Sequence, residues 1–279
     1  VNVLEFTAVV WVVSALAGFL GALTGLGGGV VITPALTLLL GVDIRYAIGA
    51  ALISVIATSS GAAAAYVREG YSNIRIGMLL EVATTLGAVA GAALATQIPT
   101  SVLAIIFGVI LMYSAYASSR PRRPEDIAHE SDPLAERLQL NGSFPTPDGG
   151  VRHYLVRRVK AGFVLMFGAG TIGGLLGIGS GAFKVIAMDQ AMKIPFKVST
   201  TTSNFMIGVT AAASAGVYLS RGYVEPALAM PVMLGVLAGS WVGSRRLADA
   251  NPKALRILFA VVVAAMALQM IYGGLRGQI

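Results

Sequence analysis

Gly25-Leu26-Gly27-Gly28-Gly29 interrupts a long apolar run near the start of the chain, and Gly177-Ile178-Gly179-Ser180-Gly181 interrupts another 152 positions later. Each interruption follows an apolar stretch of helical length, residues 3–24 and 157–176, and precedes a short one, residues 30–40 and 182–192. Glycine is a poor helix residue, so both places read as broken helices. At 1.5 Å per residue the piece 30–40 would be about 16 Å long, too short to cross a bilayer core of roughly 30 Å. Each break therefore predicts a helix followed by a short returning segment.

The rest of the chain has the composition such breaks require. It is 56% hydrophobic and 12% charged, with a mean hydropathy of +0.78. A soluble domain carries about 25% charged residues. Further apolar runs at 44–67, 74–96, 101–118, 197–219, 224–246 and 253–273 have membrane-crossing length. The first run contains Glu5, lacks a basic start and stays apolar past Leu23, so it reads as a span and not as a cleaved signal peptide. The net charge of +7 does not point to nucleic acid, because the basic residues sit in short loops and one linker. With no Cys, and with His129 and His153 both in the polar linker, no metal or cofactor is expected. No Ser–His or metal-ligand spacing lies within the spans, so the chain does not read as an enzyme.

The fold expected is an all-α polytopic membrane protein with two inverted-topology repeats, 1–118 and 157–279. Each repeat has a Gly-broken first helix and short returning segment, followed by three spans. Residues 119–156, rich in Arg, Glu, Asp and Pro, read as a solvated cytoplasmic linker, with a short amphipathic helix near Leu134 to Leu140. An offset of 152 aligns the halves almost without a gap. Gly170, Gly173, Gly177, Gly179 and Gly181 fall on Gly18, Gly21, Gly25, Gly27 and Gly29. Thr210 falls on Thr58, Tyr218 on Tyr66 and Gly222-Tyr223 on Gly70-Tyr71. A constant register carrying a Tyr-x3-Gly-Tyr pattern marks a duplication.

Loop charges give its sense. The turn 97–100 has no Lys or Arg, whereas its counterpart region has Arg245, Arg246 and Lys253. The loop 68–75 has Arg68 and Arg75 against Arg221 alone, and Arg45 stands against Lys193 and Lys197. All three comparisons alternate in one sense, as inverted copies require. Inverted repeats with paired broken helices are the pattern of secondary transporters, whose site lies near the midplane at the repeat interface.

A helix starting within a membrane offers free N–H groups and partial positive charge, and glycine lets a ligand approach them. Two such ends would suit a small anion; the other reading of the glycines is close helix crossing. The candidate binding residues are Gly27, Gly28, Gly29, Gly179, Ser180, Gly181, Thr201, Thr202, Ser203, Asn204, Lys184 and Thr58. The hydroxyls and the amide either contact the anion or hydrogen-bond between helices. Lys184 either balances the anion's charge or reaches to the inner surface. Glu81 and Asp189 either carry a coupling proton or pair with a nearby basic residue.

The two glycine breaks together with Thr202-Ser203-Asn204-Phe205-Met206-Ile207-Gly208 resemble the sulfite exporter TauE/SafE family. That resemblance covers both membrane halves and omits the linker. It implies a bacterial inner-membrane permease for sulfite or small organosulfonates, often an exporter. Ser180, where the first break has Gly28, and the long linker depart from the simplest pattern. The expected partners are the anion and the lipid bilayer, with a homodimer left open. A passive anion channel is the alternative, which sequence does not separate from a carrier.

Overall fold

The computed structural model describes residues 3–24, 29–68, 71–119, 130–145, 150–246 and 252–279. Residues 25–28, and with them Gly27 and Gly28, lie outside the described residues. The chain is helical almost throughout. Before the linker come α1 (Val3–Thr24), α2 (Gly29–Leu40), α3 (Ile44–Arg68), α4 (Ile74–Ala95) and α5 (Thr100–Ser119). After it come α7 (Val159–Leu176), α8 (Gly181–Ile186), α9 (Phe196–Ser220), α10 (Pro226–Arg246) and α11 (Pro252–Leu275). Between them the linker contributes α6 (Pro133–Arg137) and a hairpin of β1 (Gly142–Pro145) and β2 (Val151–Tyr154). Three stretches, Ile74–Ala95, Val159–Leu176 and Pro226–Gly243, are long and apolar enough to cross a membrane.

Helices pair across the halves. The most extensive contacts join α1 to α10, α4 to α7 and α5 to α11, with α3 against α9 next. Exchanging each helix for its counterpart 152 residues away returns the same pairs. Glycines set the first two. A Cβ at Gly87 would collide with the Phe167 carbonyl, and one at Gly170 with the Thr84 carbonyl. Their counterparts Gly239 and Gly18 meet the carbonyls of Ala15 and Val236 in the same way. Such backbone contact is how helices gain packing energy in lipid, where tails are as apolar as leucine.

The central pair α3 and α9 runs antiparallel and is pinned at both ends. At the start of α3, the Arg45 guanidinium lies 5.5 Å from the ring centre of Tyr223, beyond the end of α9. It also donates to the Ile98 carbonyl at 2.7 Å. At the other end, the Lys197 ammonium, in the first turn of α9, lies 3.6 Å from the ring centre of Tyr71. Residues 45 and 197, like 71 and 223, are counterparts in the repeat. The two cation–π contacts are thus one contact made twice, separated by the length of a 25-residue helix.

The linker is more than the solvated connector expected. Asp132 caps α6 by accepting from the Leu134 N–H at 2.9 Å, and its second carboxylate oxygen accepts from the Val159 N–H at 3.1 Å, at the start of α7. Asn73, the N-cap of α4, donates to the Tyr154 hydroxyl at 2.8 Å and the Leu140 carbonyl at 3.1 Å. Burial pushes the Tyr154 phenol up from its ordinary range. Leu140, Phe144, Tyr154 and Val156 join one core with Ile76, Met166, Met188 and Met192. This module caps the end of the bundle formed by the starts of α4, α7 and α9. Its strands were hidden in the sequence because each is four residues long with a single buried position, too little for a period of two to show.

Candidate functional site

The second break is built by left-handed backbone. Gly177 ends α7 at φ 69°, its N–H returning to the Gly173 carbonyl at 2.8 Å. Gly179 follows at φ 65° and Ser180 at φ 52°, after which α8 begins. The Lys184 N–H reaches back to the Ser180 carbonyl at 3.0 Å. The predicted short segment 182–192 is α8 followed by a π-helical turn, Ala187–Ala191, which contains Asp189. That wider turn lets Met188 and Met192 both bury in the linker core.

The two breaks meet. A Cβ added at Gly29, the first residue of α2, would stand 3.4 Å from the Gly177 carbonyl oxygen and 3.8 Å from the Ile178 Cα. Ile48 and Val55 of α3 and Ile207 of α9 close over this junction, touching the positions where Gly177, Gly179 and Gly181 have no side chain. Ser203 donates to the Gly181 carbonyl at 3.2 Å, fixing α9 to the break.

One helical turn beyond it lies a buried ionic chain. Lys184 has no exposed surface and Glu81 is 8% exposed. The Lys184 ammonium donates to the Thr210 hydroxyl at 2.5 Å, and that hydroxyl donates to Glu81 Oε1 at 2.7 Å. The ammonium is also 3.9 Å from Glu81 Oε2. Thr84 and Thr85 donate to the two carboxylate oxygens at 3.1 and 3.2 Å. The chain links α4 of the first half to α8 and α9 of the second. Lys184 therefore does not reach for the inner surface; it is held within the protein by a carboxylate, as a charge in apolar surroundings must be.

The other predicted residues divide. Ser180 is 1% exposed, its hydroxyl beside Gly173 and without a hydrogen-bond partner among the described residues. Thr201 and Thr58 donate to carbonyls of their own helices. Thr202 accepts from the Asn73 N–H at 3.0 Å and so anchors the start of α4. Asn204 is half-buried beside Ser203 on α9. Sequence reasoning missed Thr210 as a member of the site, having used it only to register the repeat. It also missed Ser14, Thr33 and Thr37, buried hydroxyls without partners among the described residues. The i, i+4 spacing of Thr33 and Thr37 in an otherwise apolar short helix was the available signal.

Comparison with known proteins places this architecture. The family model for the sulfite exporter TauE/SafE matches residues 10–270. The chain belongs to the TauE/SafE family. Its relatives include the probable membrane transporter protein YunE of Bacillus subtilis, 26% identical over 95% of this chain and 97% of that protein. A probable membrane transporter protein of Sinorhizobium is 25% identical over 95% and 92%, and one of Methanocaldococcus jannaschii is 23% identical over 93% of each. No solved structure matches the chain. As a TauE/SafE member the protein is a membrane-integral transporter-family chain and not an enzyme.

Proposed function

We propose that the protein is a secondary transporter that moves a small sulfur-containing anion, sulfite or an organosulfonate, out of the cell by alternating access. The observation that carries this reading is the meeting of the two breaks at Gly29 and Gly177, one turn from the buried Lys184. The anion would lie at that junction, near the midplane, against the backbone of Gly29 and of 179–181 and the side chains of Ser180, Ser203 and Lys184. Asn204 then flanks Ser203 on the wall of α9, which Thr201 and Thr202 support through their bonds to their own helix and to Asn73.

The reading takes the halves as inverted repeats. It is supported by the antiparallel course of α3 against α9 and by the reciprocal helix pairs. The Arg45–Tyr223 and Lys197–Tyr71 contacts then lie at opposite faces and act as an outer and an inner latch. Both are closed here, and Ile48, Val55 and Ile207 cover the junction, as an occluded state requires. The linker end carries Arg75, Lys160, Lys193 and Lys197, so it faces the cytoplasm of a bacterial inner membrane by the positive-inside rule.

Flux into proteoliposomes tests the reading. Purified protein should move labelled sulfite or methanesulfonate at carrier rates, saturably, and with acceleration when the same anion is loaded on the far side. Absence of movement for both anions under any imposed gradient would refute it, and an ohmic conductance without exchange acceleration would replace it with a channel.

A further inference from the structure

We propose that the Glu81–Thr210–Lys184 chain takes up one proton with each anion, so that the loaded and the empty site are both electrically neutral. This rests on the anion reading above and deepens it.

In the empty protein the Lys184 ammonium and the Glu81 carboxylate balance each other, 3.9 Å apart and joined through the Thr210 hydroxyl. Lys184 lies three residues beyond Gly181, so an anion at the break competes with Glu81 for the same ammonium. An added anion leaves one uncompensated negative charge in a site sealed from water, at a cost of several kcal/mol. A proton removes that cost. The threonines cannot hold it as a base, and a sulfonate is too weak a base to do so, which leaves Glu81. The proton from water joins a Glu81 oxygen while the anion takes over the Lys184 hydrogen bond. Nothing else is made or broken, and both are released together on the far side.

The surroundings of Glu81 fit both of its forms. Its partners Thr84, Thr85 and Thr210 are hydroxyls, which donate to a carboxylate and, after rotation, accept from a carboxylic acid. The other charged side chains on the elements packed around it are Arg75 at the start of α4, Lys160 at the start of α7, Asp189 in the π-helical turn and Lys197 at the start of α9. None of them is a partner in the chain of contacts that ends on the carboxylate. The repeat also counts the protons. The counterparts of Lys184, Thr210 and Glu81 are Ile32, Thr58 and Met233, so the chain exists once and one proton moves per cycle. The membrane potential then does no work on transport, and export runs on the outward anion gradient set against the pH difference across the membrane.

Methanesulfonate is the probe, because it stays ionised and cannot carry the proton itself. In proteoliposomes the wild-type protein should take it up faster when the lumen is alkaline, with no response to a potassium diffusion potential of either sign. In Glu81→Gln the residual flux should lose its response to the pH gradient and follow the potential. A second measurement does not depend on that variant folding. In weakly buffered detergent solution with a pH indicator, wild-type protein should take up one proton per methanesulfonate bound. Wild-type flux that follows the potential, or anion binding without proton uptake, would overturn the inference and leave the transport reading standing. Absence of any movement of sulfite or methanesulfonate would overturn both.

Discussion

Lys184 and Glu81 show what single residues in an apolar chain can and cannot reveal. Each was legible alone, because a charge in a membrane span must be paired or functional. Their pairing was not, since 103 positions and the linker separate them and the offset of the repeat aligns neither with the other. Breaking one side should be costly. Lys184→Met leaves a buried carboxylate facing three hydroxyls and should lower stability by about 3–5 kcal/mol. Glu81→Gln combined with Lys184→Met removes both charges and should recover most of that loss. Thermal melting of the wild type and the two variants in detergent checks the order; a double variant no more stable than Lys184→Met would show that the pair does not act as a unit. The hydroxyls were harder to read than the charges. Thr201 and Thr202 stand next to each other in the sequence, yet one closes on its own helix and the other reaches Asn73. Only their position around the helix decides this, and it depends on how α9 is rotated against α4.

At the level of elements, every expected span became a helix with ends within a few residues of those read from the apolar runs. Apolar length is a strong signal where backbone groups must bond within their own segment. The partners of each helix were not legible, because Gly87 and Gly168 look alike in sequence while one meets a backbone and the other meets nothing within 4 Å. That contrast gives a prediction. Gly87→Leu and Gly170→Leu should force α4 from α7 and abolish a monodisperse folded protein, whereas Gly168→Leu should be tolerated. Size-exclusion profiles of the three decide it, and a monodisperse Gly170→Leu protein would remove the packing argument. The linker module was missed for a different reason. Its order comes from contacts to Asn73, Val159 and Met192, which lie on or beside the membrane helices, and not from a pattern of its own.

For the whole molecule, the proposed inverted arrangement makes a sharp prediction about sides. Gln97 and Asp249 are counterparts in the repeat, so single cysteines there should react with an impermeant thiol reagent from opposite faces of the membrane. The chain contains no cysteine of its own, so the background is clean; labelling of both from one face would refute inversion. With a single cysteine placed instead at Ser180, Arg45→Gln should increase labelling at the junction from outside and Lys197→Gln from inside. The pairing of α1 with α10 and of α4 with α7 also sets a timetable for synthesis. The glycine-lined face of α1 finds its partner only when α10 leaves the ribosome, more than 200 residues later, and α4 must wait for α7 across the whole linker. Neither half can close its own packing surfaces, so the first half expressed alone should be degraded. Two separate chains cut within 120–129 and made together should still assemble, because the cut breaks none of those pairs.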